Sequence, residues 1–395
     1  MFKISEIPNH LSRITSSGKF IKEIDGLRFI AIFTVLVQHL NERFVRNTAI
    51  AFSTRPLDTT IGFLAEMGFI GVYIFFVISG FVLALPFALH KLKGGRSIEL
   101  KNYYWRRVTR LEPPYIFWMT IFFIAFLVTK HQDFFAYLPH YLANLTYTHA
   151  IFYNDWSPFN PPTWTLEVEI QFYILAPFLA LGLFSIKHKL FRRIGFLLAI
   201  VLILLLQQFF FPDIKQLEAT QDLYKQINLN ITAHIHYFLI GFLLVDIYIC
   251  DWEKIEKKYI FDVLALIALT VMAYGFRWNF EFVSRLLFTA SLFVFFYSAF
   301  QSVLLNKFIT NRWIMAIGGM CYTIYLIHLP MAEFIIKFTK GIELSNIYEL
   351  NLLVQLLIFI PITLVVSGIF FLLIEKPCMD KDWPQKLMLK FKKAK

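Results

Sequence analysis

Apolar runs of membrane-spanning length recur from Gly26 to Ile374, separated by short polar segments in which Lys and Arg cluster. A bilayer crossing takes about 20 predominantly apolar helical residues. The pattern predicts ten helical spans, at residues 25–41, 62–89, 113–129, 164–184, 194–211, 231–250, 260–276, 282–301, 314–338 and 350–374. The fold class is thus all-α: a polytopic membrane protein with about ten transmembrane helices. Residues 1–24 read as an N-terminal segment, 25–374 as the transmembrane domain and 375–395 as a basic tail. No period of 20–50 residues repeats, and no linker marks a second domain.

The charges orient these spans. If residues 1–24 are cytoplasmic, 27 of the 38 Lys and Arg fall in segments on that side, nine fall opposite when Arg285 at the outer end of the 282–301 span is counted there, and Arg28 and Lys337 lie within spans. A threefold excess of basic residues on one side fixes orientation by the positive-inside rule, placing both termini in the cytoplasm. Residues 1–24 are long and polar, and no small-residue cleavage site follows the first apolar run. That run is expected to stay as the first span rather than act as a cleaved signal.

Composition sharpens the class. The 395 residues are 58% hydrophobic and 16% charged, with 46 Phe, against about 25% charged in a soluble domain. A soluble enzyme, a disordered chain and a secreted disulfide-stapled module are excluded. The net charge of +11 does not predict a nucleic-acid partner, because the basic residues are dispersed between spans rather than gathered on one face; membrane lipids are the expected surroundings. Cys250, Cys321 and Cys378 have neither metal nor redox spacing, so they read as structural and no metal is predicted.

Ionisable residues inside spans are costly and mark function by default. Arg28 and His39 in the first span are 11 residues apart, which is about three turns and roughly 16 Å on nearly one face. Glu169 enters from the outer side in Trp164-Thr165-Leu166-Glu167-Val168-Glu169; Glu167, two residues earlier, is expected to lie nearer water, so Glu169 is the candidate. His328 lies 14 residues into the ninth span, as His39 lies 14 past Asp25. Two histidines and a carboxylate are thus expected in the outer third of the bilayer, with Tyr325 one turn from His328. On the inner side, Arg106, Arg107 and Arg110 recur at a spacing that lets pairs share a helical face and suits bidentate phosphate binding. The plainer accounts are a snorkelling arginine, histidines bonded to neighbouring helices and ordinary orienting charge.

These motifs in this order resemble the acyltransferase 3 family of integral membrane acyltransferases. The resemblance runs through Arg28 and His39, Gly71-Val72-Tyr73-Ile74-Phe75-Phe76-Val77-Ile78-Ser79-Gly80-Phe81, Arg106 to Pro113, Trp164 to Tyr173, Tyr322 to Pro330 and Glu375-Lys376-Pro377. It implies ten helices in a bacterial cytoplasmic (inner) membrane. It also implies transfer of an acyl group, commonly acetyl, from cytoplasmic acyl-CoA to a hydroxyl of an exported or cell-surface glycan or glycolipid. By resemblance, Arg28 and His39 are the essential pair, Arg106, Arg107 and Arg110 the basic loop, and Glu169 the acidic motif. The chain departs from the family at Tyr73, often polar or acidic there, and at Ile170, often a second glutamate. It has no counterpart of the hydrolase-like domain that some members append, so any help in acceptor delivery is expected to come from elsewhere.

The expected mechanism has Arg28 and the arginines of 106–110 holding the coenzyme A phosphates while the thioester reaches His39. His39, neutral, takes the acceptor proton as the hydroxyl attacks, with Glu169 orienting the imidazole or answering its charge. Tyr325, His328 and Trp164 are candidates for binding the acceptor or the developing oxyanion. Covalent acylation of His39 followed by transfer is the other chemical route. The outer segment Asn154 to Pro162 reads either as an acceptor entrance lined with stacking aromatics or as an interfacial aromatic belt. A proton-coupled secondary transporter would also use intramembrane His and Glu, but lacks the expected symmetry between halves; a membrane anchor leaves the buried polar residues unexplained.

Overall fold

The computed structural model describes residues 6–14, 20–211, 221–252, 255–277, 280–380 and 382–386, with the side chains of 221–224 left aside. Residues 381 and 387–395 of the basic tail, and 1–5 and 15–19 of the N-terminal segment, lie outside the described residues. The described chain is helical without strands. In order it forms α1 (Ile7–Leu11), α2 (Lys22–Asn47), α3 (Thr60–Glu66), α4 (Ile70–Lys93), α5 (Leu100–Lys130), α6 (Phe134–Leu145), α7 (His149–Tyr153), α8 (Trp164–Leu183) and α9 (Lys189–Phe210). It continues through α10 (Gln221–Asn228), α11 (Ile235–Cys250), α12 (Ile260–Gly275), α13 (Phe282–Gln301), α14 (Leu304–Ile309), α15 (Arg312–Gly319), α16 (Cys321–Thr339), α17 (Tyr348–Phe370) and α18 (Lys376–Cys378).

Seven of these stretches are long and apolar enough to cross a membrane: Thr60–Lys93, Leu100–Lys130, Pro161–Leu183, Lys189–Phe210, Phe282–Gln301, Cys321–Thr339 and Tyr348–Cys378. Helices α11 and α12 are apolar but 16 residues long, about 24 Å. Helix α2 has 26 residues but carries Asp25, Arg28, Glu42 and Arg43, and falls outside the seven.

Three expected boundaries are corrected. The third span does not begin at residue 113: α5 runs unbroken from Leu100 through Pro113 and Pro114, so Arg106, Arg107 and Arg110 stand on a helix rather than in a loop. A proline at position i leaves the carbonyl of residue i−4 without its helical donor. Pro113 does this to Thr109, whose oxygen instead accepts from the Trp383 indole at 2.9 Å. The ninth span is two helices, α15 and α16, parted at Met320. The new N-terminus is capped from elsewhere: Glu375 accepts from the Thr323 amide at 3.1 Å and its hydroxyl at 2.6 Å. The tenth span does not end at 374, because α17 widens into a π-helical turn over Phe371–Glu375, and Glu375 at its end makes that cap.

The chain divides into two compact units. The first holds the described residues of 1–72, 105–122 and 309–395. Its axis is α2, against which α3, α15, α16 and α17 pack. Ile24, Leu27, Ala31, Ile32, Val35, Leu36, Leu40 and Phe44 recur at helical spacing and are all buried. The closest approach is at Gly318, where a β-carbon would lie 1.8 Å from the Asp25 carbonyl oxygen. Only glycine lets α15 reach α2 there.

The second unit holds residues 73–104 and the described part of 123–308. Helices α12 and α13 pair, α11 packs on α9 and α13, and α7 packs on α8. Helix α4 meets α11 through Gly80 and Gly241, whose β-carbons would lie 2.1 Å from the Phe238 oxygen and 2.4 Å from that of Val77. Pro177 in α8 frees the Tyr173 carbonyl, and the Tyr103 hydroxyl donates to it at 3.3 Å.

Candidate functional site

The first unit gathers most of the expected site residues. His39 stands on α2 and His328 on α16, half-buried and fully buried respectively, with ring centroids 4.8 Å apart. Backbone carbonyls define their tautomers. His328 Nδ1 lies 2.6 Å from the Tyr325 carbonyl oxygen, and His39 Nδ1 lies 3.1 Å from that of Val35. A carbonyl oxygen only accepts, so both Nδ1 atoms carry hydrogen. His328 Nε2 is then an acceptor, and it lies 3.0 Å from His39 Nδ1. The result is a directed chain: His39 donates to His328, His328 donates to the Tyr325 carbonyl, and His39 Nε2 keeps its lone pair. That nitrogen has the character of a base or a nucleophile.

One helical turn beyond His39 on the same face of α2 is Arg43, 6% exposed. It donates to Glu333 at 3.0 Å and also to Glu42. Tyr325, 6% exposed, packs its ring 5.3 Å from that of His328. The structure thus brings His39, His328 and Tyr325 together.

At the opposite end of α2, Asp25 is 1% exposed and takes two arginines. Arg28 donates to it at 2.5 Å and Arg13 at 2.9 Å. Arg110 lies near enough to act by charge on Arg13 and, with Arg28, on Glu375. On α5, Arg107 and Arg110 are half-buried while Arg106 is exposed beside Trp105 and Val108, so the three expected cations do not share one environment. The Tyr322 hydroxyl ties α16 to α5 by donating to the Leu111 carbonyl at 3.0 Å.

Glu169 and Trp164 belong to the second unit. The Ser79 hydroxyl donates to the Glu169 carboxylate, joining the second-span motif to the acidic one. Trp164 packs 5.5 Å from His234 and 6.5 Å from Phe76. The expectation that Glu167 meets water is overturned: it is 1% exposed and accepts from the Ala150 amide at 2.9 Å. The reason is that α7 folds back onto the start of α8, covering the place where the chain was expected to leave the bilayer.

Sequence reasoning missed Asp25, Ser79, Glu375 and Arg13 as parts of these clusters. Asp25 was recoverable from its spacing, since an acid three residues before Arg28 on one helix forms an ion pair. The other three meet their partners only across large gaps in the chain.

A family model described as an acyltransferase domain, acyltransferase 3, matches residues 21–372. Among curated relatives, "Putative O-acetyltransferase SACOL0978" of Staphylococcus aureus strain COL is 23% identical over 341 residues, covering 80% of this chain and 51% of the relative. O-acetyltransferase OatA of S. aureus strain MRSA252 is 22% identical over 401 residues, covering 96% of this chain and 60% of the relative. The chain therefore spans about half to three-fifths of the length of these relatives. No solved structure matches.

Proposed function

The chain belongs to the acyltransferase 3 family, and from that premise we propose that it is a membrane O-acetyltransferase. It takes acetyl, or another acyl group, from cytoplasmic acyl-CoA and delivers it to a hydroxyl of an exported or cell-surface glycan. It is a multi-pass membrane protein, and the proposal adds ten crossings, both termini in the cytoplasm, and residence in a bacterial inner membrane. The O-acetyltransferase names of its relatives support the reaction type.

The observation that carries the reading is the hydrogen-bond chain from His39 through His328 to the Tyr325 carbonyl. The acceptor hydroxyl gives its proton to His39 Nε2 while its oxygen attacks the thioester carbonyl carbon. The imidazolium charge is spread toward His328, whose Nε2 accepts from the charged ring. Collapse of the tetrahedral intermediate breaks the C–S bond, and the departing thiolate takes the proton back from His39. His328 thereby assumes the orienting part expected of Glu169. Glu169 retains a proposed catalytic part through its place in the family motif, to be tested as Glu169→Gln. Arg28, Arg107 and Arg110 hold the anionic donor; Arg106, being exposed, is proposed to attract it. Tyr325 and Trp164 are assigned to acceptor binding.

The deciding experiment has two arms. Purified protein in lipid nanodiscs is supplied with labelled acetyl-CoA and extracted surface glycan, and transfer is followed over time. Surface glycans from cells with and without the protein are compared by mass; one extra acetyl per modified sugar, present only with the protein, is the expected result. No transfer and no mass difference would overturn the reading. A histidine acylated by donor alone would replace direct attack with two steps.

A further inference from the structure

We propose that Arg13, in the segment before the first membrane helix, is a donor-binding residue that takes the ribose 3′-phosphate of coenzyme A. The inference rests on the acyl-CoA reading of the proposed function, and its test separates the two.

Residues 6–14 are docked on the first unit. Helix α1 packs against α15 and against the π turn before α18. Its His10 carbonyl accepts from Lys376 at 2.6 Å, and the Arg13 amide passes close enough to Gly319 that a β-carbon there would stand at 3.6 Å. This docking carries the Arg13 side chain, 11% exposed, onto Asp25 through Nε at 2.9 Å. Bonding through Nε leaves the two Nη groups of the guanidinium fork directed elsewhere, and no hydrogen bond or ion pair to them is seen among the described residues.

Cationic groups converge on Arg13. Burial pushes its guanidinium down to about 10, and the charges of Arg28 and Arg110 push it the same way against the pull of Asp25. Arg13, Arg28 and Arg110 thus gather around Asp25 and Glu375, and Glu375 also serves as the cap on Thr323. A dianionic phosphate suits a place where guanidinium groups converge, and the planar fork of arginine matches it. Chain order assigns which phosphate. Arg28 lies on the His39 face of α2, and Asp25 with its second arginine lies three residues farther from His39, about 4.5 Å along the axis. In coenzyme A the thioester arm hangs from the diphosphate, and the 3′-phosphate lies beyond it. The diphosphate therefore falls to Arg28 and the 3′-phosphate to Arg13.

The test compares acetyl-CoA with acetyl-3′-dephospho-CoA in wild type, Arg13→Gln and Arg13→Lys, all in nanodiscs, reading KM and kcat. Wild type should prefer acetyl-CoA by 10- to 100-fold in KM. Arg13→Gln should lose that preference by weakening acetyl-CoA alone, with the dephospho donor and kcat little changed, and Arg13→Lys should recover part of it. A wild type without preference, or an Arg13→Gln variant that weakens both donors equally or neither, would overturn the assignment and leave Arg13 as a tether for the N-terminal segment. A thermal melt of each variant checks folding. A wild type that uses neither donor would instead overturn the acyl-CoA reading itself.

Discussion

Two constellations of buried polar groups lie in apolar surroundings, and they are built on opposite principles. In the second unit, Asp246 on α11 is fully buried between Arg192 and Arg193 of α9. Arg193 reaches on to Asp251 at 2.5 Å, where Lys189 also donates at 2.9 Å. Arg192 spends its remaining donors on the Ile186 carbonyl at 2.6 Å, that of Lys187 at 3.2 Å and the Cys250 sulfur at 3.6 Å. All three nitrogens of Arg192 thus have an acceptor. In the first unit, the His39–His328 chain ends in a basic nitrogen. Burial alone does not separate a structural polar group from a working one. A closed network locks helices together, and one that terminates in a reactive atom is available for chemistry.

The sharpest way to break this comparison is at the open end. His39→Ala should lower transfer by about 10³-fold, within the range a general base supplies, or about 4 kcal/mol of barrier. Its melting temperature and donor KM should stay near those of wild type. A His39→Ala enzyme that turns over at the original rate would strip His39 of its part.

The closed network should answer in stability instead. Asp246→Ala leaves two arginines without their shared carboxylate and should cost about 3–5 kcal/mol, read as loss of the folded fraction on detergent-solubilised protein. Arg192→Met with Asp246→Leu removes the fully buried pair and leaves Arg193 its second partner, Asp251, so it should recover much of that loss. Specific activity per folded molecule should be the same in both. If Asp246→Ala stays folded yet loses transfer, the two constellations are not opposites.

A smaller effect tests direction within the histidine chain. His328→Leu removes the side-chain acceptor for His39 Nδ1–H and leaves it only the Val35 carbonyl, and about 100-fold of kcat should go with it, in the range found when a partner that orients a functional histidine is removed. His328→Gln offers a side-chain oxygen to the same hydrogen and should lose only about tenfold. Equal losses would mean that His328 contributes bulk rather than an acceptor.

Much of this was legible in the sequence. The helices, the shared face of Arg28 and His39, and the paired depth of His39 and His328 follow from helical period alone. The helix ends were less legible, because they are decided by groups remote in sequence. Prolines 113 and 114 read as a helix start, yet the chain passes through them since Trp383 takes the carbonyl that Pro113 releases. The break at Met320 is stabilised by Glu375, 52 residues beyond Thr323. Glu167 read as solvated from its place at the outer end of the 164–184 span, whereas α6, which Asp133 caps through the Ala136 amide at 2.8 Å, leads into α7, and α7 covers it. Periodicity reports what faces apolar surroundings; it is silent on which distant side chain satisfies a freed backbone group.

That outer segment supplies the smallest of the expected effects, and a third arrangement to set beside the other two. His149 Nδ1 donates to the Asp155 carbonyl at 3.2 Å, so its Nε2 accepts from His140 Nδ1 at 3.0 Å. Both rings stack on Tyr153, with centroids 4.8 and 3.9 Å away. Unlike His39, His149 has both nitrogens engaged inside the protein, and it is 1% exposed. Burial is the main cause that pushes it down to about 4. A histidine held below its unfolded value of 6.5 favours the folded state only while neutral. Its contribution is complete above pH 6.5 and is lost as pH falls from 6.5 toward 4. Melting temperature should therefore drop across that window, and His149→Gln should flatten the drop while leaving transfer at pH 7.5 within about twofold, the margin expected of a substitution away from the reacting groups. If the slope survives the substitution, the acid sensitivity belongs to another group. If transfer at pH 7.5 is lost along with the slope, the outer segment belongs with the reactive constellation rather than with the closed ones.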